Sequence, residues 1–557
     1  MIEGDLMKNG KRILMAVVAA LLICPVTAHA SYQDDIIILY TNDTHCGIEE
    51  NIGFAGVAAY KKAVEKKTPY VTLVDCGDAI QGDFIGLTSD GGYVTDIMNV
   101  VGYDLAVLGN HEFDYGMNAL EDVLEKSEAE YLSCNITYTG KGKNALENVK
   151  PYKIIKYGDV KVGYVGVTTP YTTSSTTQTH FMENGAYVYD FANDANGQEL
   201  FDCVQKCVDT CRRKGADYVV VLAHMGDGKE DAPYSSVELA KATKGIDVIL
   251  DGHAHHVIPC MVEENKEGEE VLISSTGTKL ENIGQLIITA KGNIFTGLIS
   301  SYGKKDAQTE AYIDSIQATY EADLQKAIAV SETKLTGYTE DGIRLVRNRE
   351  TTIGNFCADA YRWVTGADIA LVNGGGVRGD LPAGDVTYQD IFAIHPYGNS
   401  ICMVEATGQE ILDCLEMCYR MTLPVVSENG NAVGEEGGFQ QISGLKLKVD
   451  TSIPSSVKVD ENAMFVSVEG ERRVKDVMVL NKEGEYETLD SDSIYTLASH
   501  NYLLKEGGSG CGMFADNVFL MDESILDYQV LADYMTEGLG GRIGLEYAQT
   551  EGRITIQ

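Results

Sequence analysis

Six short apolar runs in the first half of the chain limit the available folds more than any other feature. They cover residues 36–40, 70–74, 105–108, 160–167, 218–222 and 248–250. Each is rich in Val, Ile, Leu or Tyr, and most are bounded by Gly, Asn or Asp. Helix-like stretches separate them. Mainly apolar runs of strand length belong to strands covered on both faces, so this half is expected to be an α/β domain with a mainly parallel sheet. A further run, 271–274, precedes a Ser-Thr-Gly turn. At 557 residues the chain needs more than this one domain.

Polar residues with chemistry to offer follow these runs. Asp43 and His45 come after the first, Gly77-Asp78 after the second, and Gly109-Asn110-His111-Glu112 after the third. His224 follows the run at 218–222, and Gly252-His253-Ala254-His255 follows 248–250. Ligands of open α/β sheets bind beyond the carboxyl ends of strands, so these residues are expected to share one rim. Five of the ten histidines stand at these positions. A lone histidine is usually a hydrogen-bonded core residue, but five at equivalent places beside Asp43, Asp78 and Asn110 are not explained that way. Imidazole with carboxylate suits divalent Zn, Mn, Fe or Co. Seven candidate ligands (Asp43, His45, Asp78, Asn110, His224, His253 and His255) exceed the need of one ion and match two. Two ions ~3.5–4 Å apart suit in-line displacement at phosphorus because they neutralise developing charge.

These motifs, in this order, resemble the calcineurin-like metallophosphoesterase signature. Gly-Asn-His-Glu-Phe-Asp at 109–114 narrows the resemblance to the 5'-nucleotidase, UDP-sugar hydrolase and 2',3'-cyclic phosphodiesterase family. Asn373-Gly374-Gly375-Gly376-Val377-Arg378 and Gly438-Phe439-Gln440-Gln441-Ile442-Ser443-Gly444 resemble that family's motifs in the second half. The resemblance implies a four-layer α/β/β/α sandwich at residues 31–303 and a mixed α/β substrate-binding domain at 331–557, with a large rotation between them. It assigns one ion to Asp43, His45, Asp78 and His255. The other goes to Asp78, Asn110, His224 and His253, with Asp78 bridging. His111 would bond the phosphate rather than a metal, and Asp114 would orient its ring.

The same resemblance places Arg347 and Arg378 as phosphate clamps, Asn373 and Asn110 at the substrate, and Tyr397 and Tyr502 as rings that sandwich a base. Ser509, in Gly507-Gly508-Ser509-Gly510, stands where such nucleotidases usually carry an aspartate that bonds ribose hydroxyls. The formal charge is −39, which disfavours polymeric nucleic acid and requires a local cationic site for any anionic substrate. The implied activity is hydrolysis of nucleotide phosphate esters, foremost 5'-nucleotides. The rival enzymes are a 2',3'-cyclic phosphodiesterase with 3'-nucleotidase action and a UDP-sugar hydrolase. The non-enzyme rival is a surface-binding protein on an inactive phosphatase scaffold.

The ends and the joint complete the reading. Lys8, Lys11 and Arg12, an apolar stretch at 13–23 and Ala28-His29-Ala30 read as a secretory signal over 1–30, with an uncleaved anchor as the alternative. The mature chain is therefore expected to be secreted, periplasmic or on the cell surface, without a membrane span. Residues 306–330 lack Gly and Pro and carry apolar residues at helical spacing, which predicts one long helix linking the halves across 304–330. Cys203, Cys207 and Cys211, like Cys414 and Cys418, recur every four residues. That spacing predicts small apolar side chains on a buried helix face rather than a thiol metal cluster.

Overall fold

The apolar runs form two six-stranded sheets whose facing sides make one core. The computed structural model describes residues 34–557 except 174–175, 177, 185, 229–230, 341, 424–435, 461–462 and 523. The expected signal at 1–30 lies outside the described residues. Two compact units divide the chain, one holding most of the sequence up to Ala318 and the other running from Thr319 to Gln557.

In the first unit, Ile36–Thr41, Val71–Asp75, Leu105–Val107 and Glu130–Leu132 pair in parallel, with Ile283–Ile288 antiparallel at the edge of Ile36–Thr41 and Ile294–Ile299 beyond it. The second sheet has Val160–Thr168, Tyr218–His224, Val248–Leu250 and Glu270–Thr276 in parallel, flanked by antiparallel Tyr152–Tyr157 and Val257–Glu264. Ile38, Tyr40, Val74 and Leu105 of one sheet meet Tyr164, Val220, Leu222 and Val248 of the other in a buried cluster. Helices cover the outer faces. Gly53–Glu65 packs on Val71–Asp75, and Gln198–Arg213 lays Leu200, Val204, Val208 and Cys211 on the second sheet. The layers thus run helix, sheet, sheet, helix. Every parallel strand is covered on both sides, which explains the unbroken apolar runs.

The second unit is also mixed α/β. Its central sheet orders Gln440–Ser443, Ile369–Asn373, Ile494–His500, Ile401–Thr407 and Phe519–Met521. Thr352–Thr365 packs on that sheet, as does Gly408–Tyr419, whose start is fixed by a capping box between Thr407 and Glu410. A four-stranded sheet of Tyr486–Thr488, Val474–Leu480, Leu445–Val449 and Ile554–Ile556 completes the unit's main core.

One expected element differs. The single helix across 306–330 ends early: Ala307–Asp323 is helical, and Ala327–Ser331 is a strand paired with Gly384–Thr387 and Arg542–Ile543. A turn separates them, in which Lys326 donates its backbone N–H to Asp323 and pairs its ammonium with the Asp323 carboxylate. Ala-Ile-Ala-Val fits a helical period over so short a span, and only the distant pairing strands decide the outcome. Of the three cysteines expected on a buried face of helix Gln198–Arg213, Cys207 and Cys211 are buried and Cys203 is half-buried. Among the described residues no helix is long and apolar enough to cross a membrane.

Candidate active site

Parallel strands of both sheets end at one rim of the first unit, and the loops beyond them carry the polar residues. Close approach depends on the backbone. A Cβ on Gly109 would stand 2.1 Å from Asp78 Oδ1, so only glycine lets the third loop reach the second. Asp43, His45, Asp78, His253 and His255 all have φ between 43° and 83°. Left-handed backbone is unfavourable for such residues, and its concentration here marks loops bent to aim side chains.

Glu112 fixes two of these loops. Its carboxylate accepts the backbone N–H of Gly109 at 2.6 Å, of Ala79 at 2.7 Å and of Asp78 at 2.8 Å. Burial pushes its pKa up to about 7, against those hydrogen bonds. Asn42 does similar work, donating to Asp43 Oδ2 at 2.6 Å and accepting from Thr276. The sequence reading gave neither residue a role. Glu112 lay within a quoted motif, but nothing marked Asn42 except its place before Asp43.

Two groups of ligand atoms result, Asp43 with His45 and His255, and Asp78 with His224 and His253. His45 donates Nδ1–H to the Gln81 carbonyl at 3.0 Å, which leaves the Nε2 lone pair facing His255 Nε2 at 2.9 Å. His224 donates Nδ1–H to the Cys76 carbonyl at 2.8 Å, and its Nε2 faces Asp78 Oδ2 at 2.9 Å and Asn110 Oδ1 at 3.2 Å. Asp78 Oδ2 also stands 4.0 Å from His45 Nε2, so it looks toward both groups. Facing ring nitrogens and carboxylate oxygens at this spacing suit a cation between them, and carbonyls that fix the tautomer of His45 and His224 are what metal-ligating histidines use. The donor set therefore fits divalent transition ions. A proton answers the same need at His224, where burial is outweighed by the Asp78 carboxylate and the pKa rises to about 10. Burial holds His45 and His253 neutral, with pKa values near 3.

His111 stands apart from both groups. Its Nδ1–H donates to Asp114 Oδ2 at 2.7 Å, and its backbone N–H donates to Asp78 Oδ1 at 2.8 Å. Burial lowers its pKa, but the charges of Asp114 and Asp78 prevail and push it up to about 9. Its Nε2 thus keeps a proton at neutral pH.

In the second unit, strand pairing gathers the other named residues. Ile401 pairs with His500, which brings the segments holding Tyr397 and Tyr502 to the same end of the sheet. Ile369–Asn373 runs parallel to Ile494–His500, so Asn373 ends nearby; its Oδ1 is buried and has no hydrogen-bond partner among the described residues. A Cβ on Gly374 would fall 2.2 Å from the Val346 carbonyl, so glycine there lets the strand end approach Arg347. Arg378 lies 5.8 Å over the exposed Tyr397 ring. Tyr502 is also exposed, and its hydroxyl accepts the N–H of Ser509 at 3.2 Å. Arg378, Arg347 and Arg344 all lower the pKa of Tyr338, against the dominant effect of burial. Arg344 is a third cation that the sequence reading missed, although it lies three residues before Arg347.

Residues 327–516 match the family described as 5'-nucleotidase, C-terminal domain, and residues 71–283 match the family of the bacterial capsule synthesis protein PGA_cap. The chain is 25% identical to the trifunctional nucleotide phosphoesterase protein YfkN of Bacillus subtilis, over 93% of this chain but only 35% of that longer protein. It is 26% identical to the snake venom 5'-nucleotidase of Gloydius brevicauda, over 97% of this chain and 92% of that one. The structure of NAD nucleotidase from Haemophilus influenzae shares the fold, with a TM-score of 0.73 at 19% identity over 94% of this chain and 99% of that one. The chain thus carries a 5'-nucleotidase C-terminal domain and is similar over nearly its whole length to 5'-nucleotidases and related nucleotide phosphoesterases, whose two-domain fold it shares.

Proposed function

We propose that this protein is an exported dimetal phosphoesterase that hydrolyses nucleotide phosphate esters, foremost 5'-nucleotides to nucleoside and phosphate. The observation that carries the proposal is the pair of ligand groups with Asp78 turned toward both, and His111, oriented by Asp114, beside them. Asp43, His45, Asp78 and His255 would hold one ion, and Asp78, Asn110, His224 and His253 the other. Bound ions of the Zn, Mn, Co or Fe class supply Lewis acidity and charge neutralisation at phosphorus.

The chain's own residues do the rest. His111 Nε2–H donates a hydrogen bond to a phosphate oxygen as negative charge builds there. Asp114 keeps Nδ1 engaged, so the ring cannot turn away. Arg347, Arg378 and Arg344 offset the repulsion that a chain of charge −39 exerts on an anion. Tyr397 and Tyr502 offer ring faces for a base, and Asn373 an acceptor without a partner among the described residues. The functional boundaries we propose are 31–303 for the phosphoesterase domain and 331–557 for the substrate domain. Export rests on the signal pattern at 1–30.

Ser509 favours a broader substrate range that takes in cyclic nucleotides and 3'-nucleotides, because a neutral hydroxyl grips ribose less than a carboxylate does. The decisive experiment is a phosphate-release screen over 5'-, 3'- and cyclic nucleotides, nucleotide sugars and simple esters, with and without chelator. Release from AMP that depends on added Mn, Co or Zn is expected. Full activity in a verified metal-free preparation would overturn the dimetal reading, and inactivity on every ester with metal bound would favour a binding protein.

A further inference from the structure

Cysteine is spaced for helix burial at 414 and 418, and the fold adds a third thiol to that face. Cys414 and Cys418 sit one turn apart on Gly408–Tyr419. Cys511 arrives from the loop that carries Ser509. All three are fully buried. Their sulfurs form a closed triangle with sides of 3.3 Å (Cys414 to Cys511), 3.5 Å (Cys418 to Cys511) and 3.9 Å (Cys414 to Cys418). Thiolates bound to a tetrahedral zinc ion at ~2.3 Å stand about 3.8 Å from one another. The triangle is therefore near the size of one face of such a site. A disulfide between any two would leave the third unpaired inside the core.

The surroundings favour one thiolate, at Cys418. Gln440 Nε2 donates to Cys418 Sγ at 3.5 Å, and Gln440 Oε1 is buried without a hydrogen-bond partner among the described residues. The same Nε2 donates to the Gly438 carbonyl at 2.9 Å, which fixes the nitrogen side of the carboxamide toward Cys418. Hydrogen bonds from Cys414 and Cys511, then from Gln440, together with the charge of Arg420, hold the Cys418 thiol well below its ordinary range against burial, while Cys414 and Cys511, which share those bonds, are held well above theirs.

We propose that Cys414, Cys418 and Cys511 bind a structural metal ion of the zinc class, separate from the histidine and aspartate ligands of the first unit. Binding converts three thiols to thiolates and releases their three protons to solvent, leaving one net negative charge that Arg420 offsets. The ion ties the helix Gly408–Tyr419 to Cys511, two residues from Ser509, and so fixes the loop that the proposed function places at the sugar. The histidine and aspartate ligands cannot imitate the spectroscopic signature of such a site, because they contain no sulfur.

Cobalt(II) is the probe. The full-length reduced chain, loaded with cobalt, is expected to show a sulfur-to-cobalt charge-transfer band in the near ultraviolet. Cys414→Ser and Cys511→Ala should each abolish the band, while Cys203→Ser should retain it. A second measurement needs no variant: a thiol-specific mercurial should release one equivalent of chelatable zinc from the zinc-loaded wild type. No band in a cobalt-saturated, fully reduced wild type would overturn the proposal. So would a native Cys414–Cys511 disulfide found by intact mass, or zinc release unaffected by the mercurial.

Discussion

At the residue scale, the catalytic role proposed for His111 is separable from a ligand role. Its Nδ1 is committed to Asp114 and its ring belongs to neither ligand group. His111→Ala should lower kcat by about 10²–10⁴-fold, the range for a positioned acid or hydrogen-bond donor. Metal content should be unchanged, and loss of one metal equivalent would reassign the residue. Ser509 makes a different prediction. Wild-type protein should discriminate weakly between AMP and dAMP, and Ser509→Asp should raise the ratio of their kcat/KM values through a charge-assisted bond to ribose. A strong wild-type preference that the substitution leaves unmoved would show that other groups read the sugar.

His500 gives a test in pH. Its buried ring titrates near 3, whereas a free histidine titrates near 6.5; burial is the main cause. The folded state is neutral where the unfolded chain takes a proton. The stability this group contributes is thus present above 6.5 and is lost as pH falls toward 3. The slope from one such proton is roughly 1.4 kcal/mol per pH unit. Urea unfolding at pH 7 and pH 5 should therefore show a smaller acid loss in His500→Phe than in wild type. Equal losses would mean that the ring is already charged in the fold.

At the scale of elements, the loops after strands Val71–Asp75 and Leu105–Val107 share one support, the Glu112 carboxylate. Glu112→Gln turns an amide nitrogen toward backbone donors and should reduce metal affinity by about 10–100-fold, as losses of supporting partners commonly do. Titration of the metal-free variant checks this, and wild-type affinity would leave the carboxylate without a positioning role.

The strands of the first unit were readable because burial on both faces leaves no polar alternation to confuse them. The break after Asp323 was not, since Ala327–Ser331 is a strand only by virtue of Gly384–Thr387 and Arg542–Ile543. Local spacing likewise revealed Cys414 and Cys418 but not Cys511, 97 residues from Cys414. Asn42 and Gln81 act on ligands through bonds that periodicity does not report. The candidate ligand residues that the fold brings together follow recognisable runs, which is why the sequence could single them out.

For the whole molecule, the charge of −39 predicts an unusual salt response. Screening weakens the general repulsion of anionic substrates over about a Debye length, ~10 Å at 0.1 M. The kcat/KM for AMP should rise as KCl is added from very low ionic strength. A steady fall would mean that attraction by Arg347, Arg378 and the site outweighs the background at every range.

The rim of the first unit behaves like a caliper. Each ligand group draws from both jaws: Asp43 and His45 extend one sheet while His255 extends the other, and Asp78 is matched in the same way by His224 and His253. The gap between the jaws is set by side-chain volume far from the tip, at Val220, Leu222, Val74 and Ile38. Thinning that filling, as in Val220→Ala, changes the gauge without touching a ligand. Metal preference in such a fold can therefore drift with its hydrophobic interior, and ions of different radius become a ruler for how tightly the sheets close.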